Sequence, residues 1–102
     1  MPRVALLSRV RAQTGRGPAL IAAFKPLLAL VDDEPGTLMY VLHQSHQDPD
    51  LLWVSELYAD DDAFVRHRDS EAMAAVAPVL AGLIAESELM IGRPLSGKGL
   101  PR

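Results

Sequence analysis

The stretch LLWVSELYADDDAFVRHRDS, residues 51–70, decides the fold of this chain. Its first half, residues 51–58, combines β-branched and aromatic residues without Gly or Pro, which predicts a strand. Three aspartates at positions 60–62 then provide the cap and the negative charge that favour a helix N-terminus, so the remainder predicts a short helix. We expect this strand-to-helix unit to bring Glu56 and Tyr58 from the sheet and His67 from the helix to one pocket.

Three shorter patterns precede this unit. Val4–Ala12 is rich in Val and Leu and predicts a first strand. Residues 19–31 carry apolar side chains at helical spacing and predict a helix, which Pro26 is expected to kink. Residues 37–45 predict a second strand, and the turn HQDPD at 46–50 joins it to the third.

The remainder of the chain predicts one more helix and one more strand. The short helix ends near Arg68, and Ser70 is placed to cap a helix over residues 71–85, with a bend at Pro78. Residues 89–93 predict a short fourth strand. The order β-α-β-β-α-β predicts an α+β, ferredoxin-like protomer, with an antiparallel sheet that carries its helices on one face.

The length and composition of the chain indicate how many domains it forms and exclude several classes of function. We expect one domain of residues 1–94, followed by a Gly/Pro-rich tail of residues 95–102 that is flexible or embraces a partner. The absence of cysteine excludes disulfides, thiolate metal sites and cysteine nucleophiles. The net charge of −3 and the five aromatic residues argue against a nucleic-acid partner. No apolar run reaches the roughly 18 residues of a membrane span, so we expect a cytoplasmic protein.

The third strand is apolar on both of its faces. A sheet with one face in water shows polar residues on that face, so the second face here needs a cover. A second copy of the sheet is the simplest cover, which predicts a homodimer. The side chains on the two faces are Leu51, Trp53 and Leu57 on one, and Leu52 and Val54 on the other.

The five-residue turn also predicts the strand register. It sets Tyr40 opposite Glu56 on one face and His43 opposite Trp53 on the other. A carboxylate inside an apolar strand is costly without a partner, and Arg9 of the first strand is a candidate.

Two interpretations of the Tyr40–Glu56 pair stay open at this point. The pair is either a structural contact or a device that positions a polar substrate, with His67 above it as a proton-transfer group. Tyr58 either faces the same pocket or ends the strand. His43 and His46 are three residues apart and fall on opposite faces of a strand, which argues against a metal pair.

Three segments resemble the antibiotic biosynthesis monooxygenase family: PGTLMY at 35–40, DPD at 48–50 and WVSELYADDDAFVRHRDS at 53–70. The resemblance covers about residues 4–94. It implies a ferredoxin-like protomer that pairs into a dimeric α+β barrel, with a pocket between sheet and helices in each subunit. Its most specific positions are Tyr40, Glu56, Ala63 and His67.

The best-studied members of that family oxidise quinols or polycyclic phenols with molecular oxygen, without a metal or a flavin. The resemblance therefore implies a monooxygenase that needs no cofactor, uses dioxygen as co-substrate and acts on a small aromatic molecule. The expected catalytic residues are His67, Glu56 and Tyr40, and the expected substrate contacts are Tyr58, Arg9 and Phe64.

Departures from the family pattern narrow this expectation. The chain contains no asparagine, whereas the haem-degrading and polyketide-oxidising members use one in the pocket. The haem-ligand histidine falls near Ala77 and the pocket tryptophan near His67, so the chain is most similar to the quinol-monooxygenase-like branch. Two other classes remain open: an isomerase or lyase acting on a small carbonyl compound, and a non-catalytic dimer that binds a small molecule. Oxygen consumption separates them from an oxygenase.

Overall fold

A four-stranded antiparallel sheet with helices on one face forms the fold, in the strand order β2-β3-β1-β4. The computed structural model describes residues 2–101; Met1 of the predicted domain and Arg102 of the predicted tail lie outside them. The elements are β1 (Val4–Ala12), α1 (Gly17–Ala23), α2 (Lys25–Val31), β2 (Thr37–Gln44), β3 (Leu51–Tyr58), α3 (Asp61–Arg68), α4 (Glu71–Leu83) and β4 (Ile84–Gly92). The predicted ferredoxin-like α+β fold is confirmed.

The two predicted helix caps are present. The Asp60 side chain accepts a hydrogen bond of 2.8 Å from the backbone N–H of Ala63, and Ser70 Oγ accepts one of 3.1 Å from that of Met73. Each cap satisfies a backbone donor that has no partner within its helix. Together they fix where α3 and α4 begin, and therefore where His67 stands relative to the sheet.

The predicted kinked helix over 19–31 is two helices, α1 and α2, which meet at Phe24. Pro26 lies in the first turn of α2, where its missing N–H costs no hydrogen bond. The start of α1 has no cap from its own N-cap residue. Asp50 of the β2–β3 turn instead accepts hydrogen bonds of 2.9 Å and 2.8 Å from the N–H groups of Gly15 and Gly17.

The prediction for the last strand was wrong at its start. β4 begins at Ile84, directly after α4, and the predicted helix end at residue 85 is two residues too late. The polar residues at 86–88 hid this strand, because they break the apolar pattern. They suit an edge strand, where Glu88 lies opposite Arg9 on β1 and forms an ion pair with it of 3.7 Å.

The register of the central strands was predicted correctly. Tyr40 pairs with Glu56 and His43 with Trp53. β1 lies between β3 and β4 and sets Leu6 opposite Glu56. The helix-facing side of the sheet forms a core with the helices, which includes Val10, Leu20, Phe24, Leu27, Leu52 and Val54.

The face of the sheet away from the helices carries large apolar side chains that remain exposed. Trp53 stacks on His43 there, with ring centroids 5.3 Å apart and planes at 14°. The exposed large apolar side chains on this face come from β1, β2 and β4: Leu7, Met39, Val41 and Met90, of which Met90 is 54% exposed. We call these four residues with His43 and Trp53 the outer face.

Residues 93–101 form neither helix nor strand, and Leu95 is 90% exposed. The division into a domain and a tail stays a prediction. Within residues 2–101 no helix combines the length and the apolar character that crossing a membrane requires.

Candidate functional site

A cavity of about 310 Å³ lies between the sheet and the helices. This volume is at the small end of the roughly 300–1,000 Å³ that small-molecule sites occupy. Its polar groups are few and come mainly from β2, β3 and α3: Tyr40, Glu56, His67 and Arg68, with Ser8 on β1 and Ser87 on β4. The apolar lining includes Leu6, Val10, Phe24, Leu27, Val54, Phe64, Met73, Leu80, Ile84 and Leu89.

Glu56 is a buried carboxyl group in the floor of this cavity, 7% exposed. The Tyr58 hydroxyl donates a hydrogen bond of 2.5 Å to its Oε1. Because the two residues are separated by two positions on one strand, they face the same side of the sheet. The partner of the buried carboxyl is therefore Tyr58, on its own strand.

Burial raises the pKa of Glu56, although the Tyr58 hydrogen bond and the charge of His67 act in the opposite direction. Burial also raises the pKa of the Tyr58 hydroxyl, and its hydrogen bond to Glu56 adds to that effect. The pKa of Tyr40 is raised first by burial and then by the negative charges of Glu56 and Glu34. Both tyrosine hydroxyls therefore stay protonated at neutral pH and act as hydrogen-bond donors.

His67 is 4% exposed and lies beside both tyrosines. Its ring centroid is 5.3 Å from that of Tyr40 and 5.4 Å from that of Tyr58, with tilted planes in both pairs. Its Nδ1 lies 2.8 Å from Oε1 of Glu34. A carboxylate only accepts hydrogen bonds, so this contact assigns the ring proton to Nδ1 and leaves Nε2 available to a ligand.

Glu34 contacts His67 and was not among the residues predicted from the sequence. It lies in the segment DDEPG, which reads as an ordinary turn, and 33 positions separate it from His67. The Thr37 hydroxyl also donates to Glu34 Oε1, at 2.9 Å, and holds the carboxylate in place. A signal was present in the sequence, because Thr37 and Glu34 have the spacing of a local side-chain contact.

Gly36 allows the loop that carries Glu34 to approach α3 closely. A Cβ added at this position would lie 2.5 Å from Cβ of Ala63, one turn before His67. Only a residue without a side chain fits such a contact. Gly36 of the sequence PGT at 35–37 and the small residue Ala63 together allow the loop to pack closely on the helix.

The structure brings together four of the six predicted site residues in the cavity wall: His67, Glu56, Tyr40 and Phe64. Tyr58 lies behind Glu56 with its side chain fully buried, and it does not line the cavity. Its contact is with the carboxyl group of Glu56.

The expected contact between Arg9 and Glu56 was wrong. Arg9 pairs with Trp53 in the β1–β3 register and belongs to the opposite side of the sheet from Glu56. It forms its ion pair with Glu88 of β4. A shift of one residue along β1 reverses the face, and the register of β1 follows from long-range pairing that no short turn predicts.

Arg68 also lines the cavity, although it was not among the predicted site residues. Its guanidinium lies 5.7 Å from the ring centroid of Phe64 and forms a 3.0 Å ion pair with Asp69. Among residues 2–101 no group of three or more His, Asp or Glu side chains is placed to hold a metal ion.

Comparison with known proteins gives one family. The family model for antibiotic biosynthesis monooxygenases matches residues 3–78, more than half of the chain. None of the curated proteins compared with the chain matches it.

Solved structures share the fold over nearly the whole chain. PA3566 from Pseudomonas aeruginosa is 26% identical, with a TM-score of 0.86 over 94% of this chain and 97% of that one. A protein from Chloroflexus aurantiacus, provisionally named an antibiotic biosynthesis monooxygenase, is 27% identical, with a TM-score of 0.80 over 97% and 99%. The N63A mutant of SnoaB, a cofactor-independent oxygenase from Streptomyces nogalater, is 18% identical, with a TM-score of 0.86 over 98% and 100%.

Proposed function

The chain belongs to the antibiotic biosynthesis monooxygenase family, and from this premise we propose that it oxidises a small phenol or quinol with molecular oxygen and without a cofactor. SnoaB, which has this fold, is a cofactor-independent oxygenase. At 18% identity, the similarity to SnoaB supports the fold alone. The proposed reaction therefore depends on the residues of this chain.

One observation carries the proposal: His67, Tyr40 and Glu56 lie together in the wall of a cavity that is otherwise mainly apolar. A cavity of this kind binds an aromatic ring by burial of its surface and orients it through a few polar groups. Its apolar lining keeps water away from a reactive intermediate. Its volume of about 310 Å³ favours substrates of one or two rings over larger polycyclic phenols.

In the proposed reaction His67 acts as the base. Its Nε2 accepts the phenolic proton, because Nδ1 is already bonded to Glu34. The resulting phenolate gives up an electron to dioxygen far more readily than the phenol does. Tyr40 donates a hydrogen bond to a ring oxygen, and the Glu56 carboxyl orients another.

The atoms balance without a further reductant. One phenol and one dioxygen give one quinone and one water. A ring C–H carbon gains one oxygen atom and becomes a carbonyl, and the phenolic C–OH becomes the second carbonyl. The other oxygen atom leaves as water with the two hydrogens, and His67 returns its proton to that departing oxygen.

The expected homodimer is part of the same proposal. The outer face presents Val41, 41% exposed, and Met90, 54% exposed, on the same side of the sheet as Trp53. An antiparallel sheet that faces water carries polar side chains there, so these residues support a cover by a second copy of the sheet.

Oxygen uptake by the purified protein with a panel of quinols and phenols tests the proposed function. Wild type and His67→Ala are measured side by side, because many such compounds react with oxygen unaided. Uptake above background that falls by about tenfold or more in the variant supports the class and the base. The matched control is His46→Ala, which removes an exposed imidazole from the β2–β3 turn and leaves both the cavity and the outer face unchanged.

Wild-type uptake equal to background with every compound would contradict the oxygenase. Uptake that persists in His67→Ala would show that His67 is not the base, and the protein would still be an oxygenase. Products are identified by mass, since incorporation of one atom from labelled dioxygen distinguishes a monooxygenase from an oxidase.

A further inference from the structure

A second cavity of about 220 Å³ lies on the other side of His67. The residues that line it include several with polar or charged side chains, Asp33, Glu34, Thr37, Arg66 and His67, beside Pro35, Gly36 and Ala63. Of the described residues that line the two cavities, His67 alone belongs to both. His67 therefore lies between the two cavities.

The Glu34–His67 contact lies at this boundary. The side chain of His67 is 5% exposed, whereas that of Glu34 is 18% exposed, so the carboxylate keeps contact with solvent while the ring does not. A buried imidazole that takes up a proton needs a compensating negative charge. Glu34 provides that charge at 2.8 Å, on the ring nitrogen away from the proposed substrate contact.

Other ionisable groups surround the ring without making this contact. The rings of Tyr40 and Tyr58 lie beside it at tilted angles, Glu56 lies on the sheet, and Arg66 and Arg68 come from its own helix. Tyr58 donates its hydroxyl proton to Glu56. Of these groups, Glu34 is the one bonded to a ring nitrogen of His67.

We propose that Glu34 is the positioning residue of His67: it holds the ring as the Nδ1–H tautomer and balances its charge, and the second cavity is an entrance through which a small carboxylate can reach the same place. The proposal rests on the proposed function and adds to it a residue and a cavity. A proton accepted at Nε2 makes an imidazolium, whose charge the Glu34 carboxylate offsets until the proton is returned.

The first test needs no substrate. Nitrogen-15 NMR of the imidazole rings distinguishes the two tautomers, and His67→Ala assigns the signal. Neutral His67 is expected to be the Nδ1–H tautomer in wild type and a mixture of tautomers in Glu34→Ala. An unchanged His67 signal in Glu34→Ala would overturn the proposal, whatever the protein oxidises.

The second test uses steady-state oxygen uptake and chemical rescue. Glu34→Ala is expected to lower kcat by at least about tenfold with KM changed by less than about twofold, because the residue acts on the base and not on the substrate. Formate, added as the probe, is expected to restore part of kcat by entering the second cavity. Glu34→Asp is expected to lie between wild type and Glu34→Ala.

The control variant is Asp32→Ala, which removes an exposed carboxylate from the end of α2, two positions before Glu34. Its kcat is expected to equal that of wild type, with no effect of formate. Wild-type kcat in Glu34→Ala, or an equal formate effect in both variants, would overturn the proposal and leave the oxygenase standing. Absence of uptake in wild type would overturn the oxygenase, and the NMR result would still decide the role of Glu34.

Discussion

Tyr58 and Glu56, two positions apart on β3, are joined by a hydrogen bond of 2.5 Å in which the phenol donates to the carboxyl group. Both side chains are buried, so the strand itself supplies the partner that its inward-facing carboxyl needs. Arg9, the partner predicted from the sequence, belongs to β1 and lies on the other side of the sheet. The pair leaves the opposite side of Glu56 to face the cavity, where it is available to a ligand.

The buried carboxyl makes stability depend on pH in an unusual direction. Burial raises the pKa of Glu56 in the folded state, so protonation favours folding. Its contribution is fully present below the pKa of the unfolded chain and is lost as the pH rises through the folded-state pKa. We expect the free energy of unfolding of wild type, relative to Glu56→Gln, to fall as the pH rises above about 4, the ordinary pKa of a glutamate in an unfolded chain.

Urea unfolding of both proteins at several pH values measures this difference. Glu86→Gln is the control, because it removes a carboxylate from the exposed edge strand β4. A relative stability of wild type that rises with pH would contradict the assignment. The assignment would also be contradicted if the stability of wild type relative to Glu86→Gln fell with pH as much as its stability relative to Glu56→Gln.

Gly36→Ala is expected to weaken the site and the fold together. The added Cβ would lie 2.5 Å from Cβ of Ala63, so the loop carrying Glu34 must move away from the helix carrying His67. Overpacking of this kind costs about 1–3 kcal/mol. Thermal unfolding measures the loss, and the His67 nitrogen-15 signal reports the longer contact.

Gly82→Ala provides the matched control for that substitution. An added Cβ there meets nothing within 4 Å, and Gly82 lies in α4. Alanine favours a helix over glycine, so we expect stability to rise by up to about 1 kcal/mol. Gly36→Ala as stable as wild type would show that the loop tolerates displacement.

Asp50→Ala is expected to destabilise the start of α1. The Asp50 carboxylate accepts the N–H groups of Gly15 and Gly17, and no other side chain caps this helix. Loss of a cap costs about 1–2 kcal/mol. Urea unfolding beside Asp32→Ala, which makes no such contact with α1, measures the difference, and equal midpoints would contradict the assigned role.

Val41→Glu is expected to convert a dimer into single chains. Val41 lies on the outer face, and a carboxylate buried between two sheets loses its hydration. Light scattering measures the mass. Val79→Glu on α4, 54% exposed, is the control and should leave the mass unchanged. A wild-type mass equal to one chain would contradict the homodimer.

Local patterns predicted most of the fold. The turn at 46–50 is short, so counting back from it gave the Tyr40–Glu56 pair correctly. The caps at Asp60 and Ser70 were equally predictable, because a cap depends on residues within one turn. The approach of His67 to Tyr40 followed from these two results.

Long-range contacts were the part that could not be predicted. Arg9 was assigned to the wrong face because β1 pairs with β3 across more than forty residues, and a one-residue shift reverses its side chains. Glu34 was missed because its partner depends on where α3 packs against a distant loop. Both errors concern contacts between segments that are far apart in the sequence. The periodicity of apolar residues within one segment does not predict such contacts.

The position of β1 between β3 and β4 has a consequence for the growing chain on the ribosome. β1 is made first, yet one of its edges has no partner until residues 84–92 have been translated. A product that stops before Ile84 exposes that edge, and unpaired edges recruit other chains. Premature termination late in this message would therefore yield insoluble fragments, although nearly every residue of the candidate site had already been made.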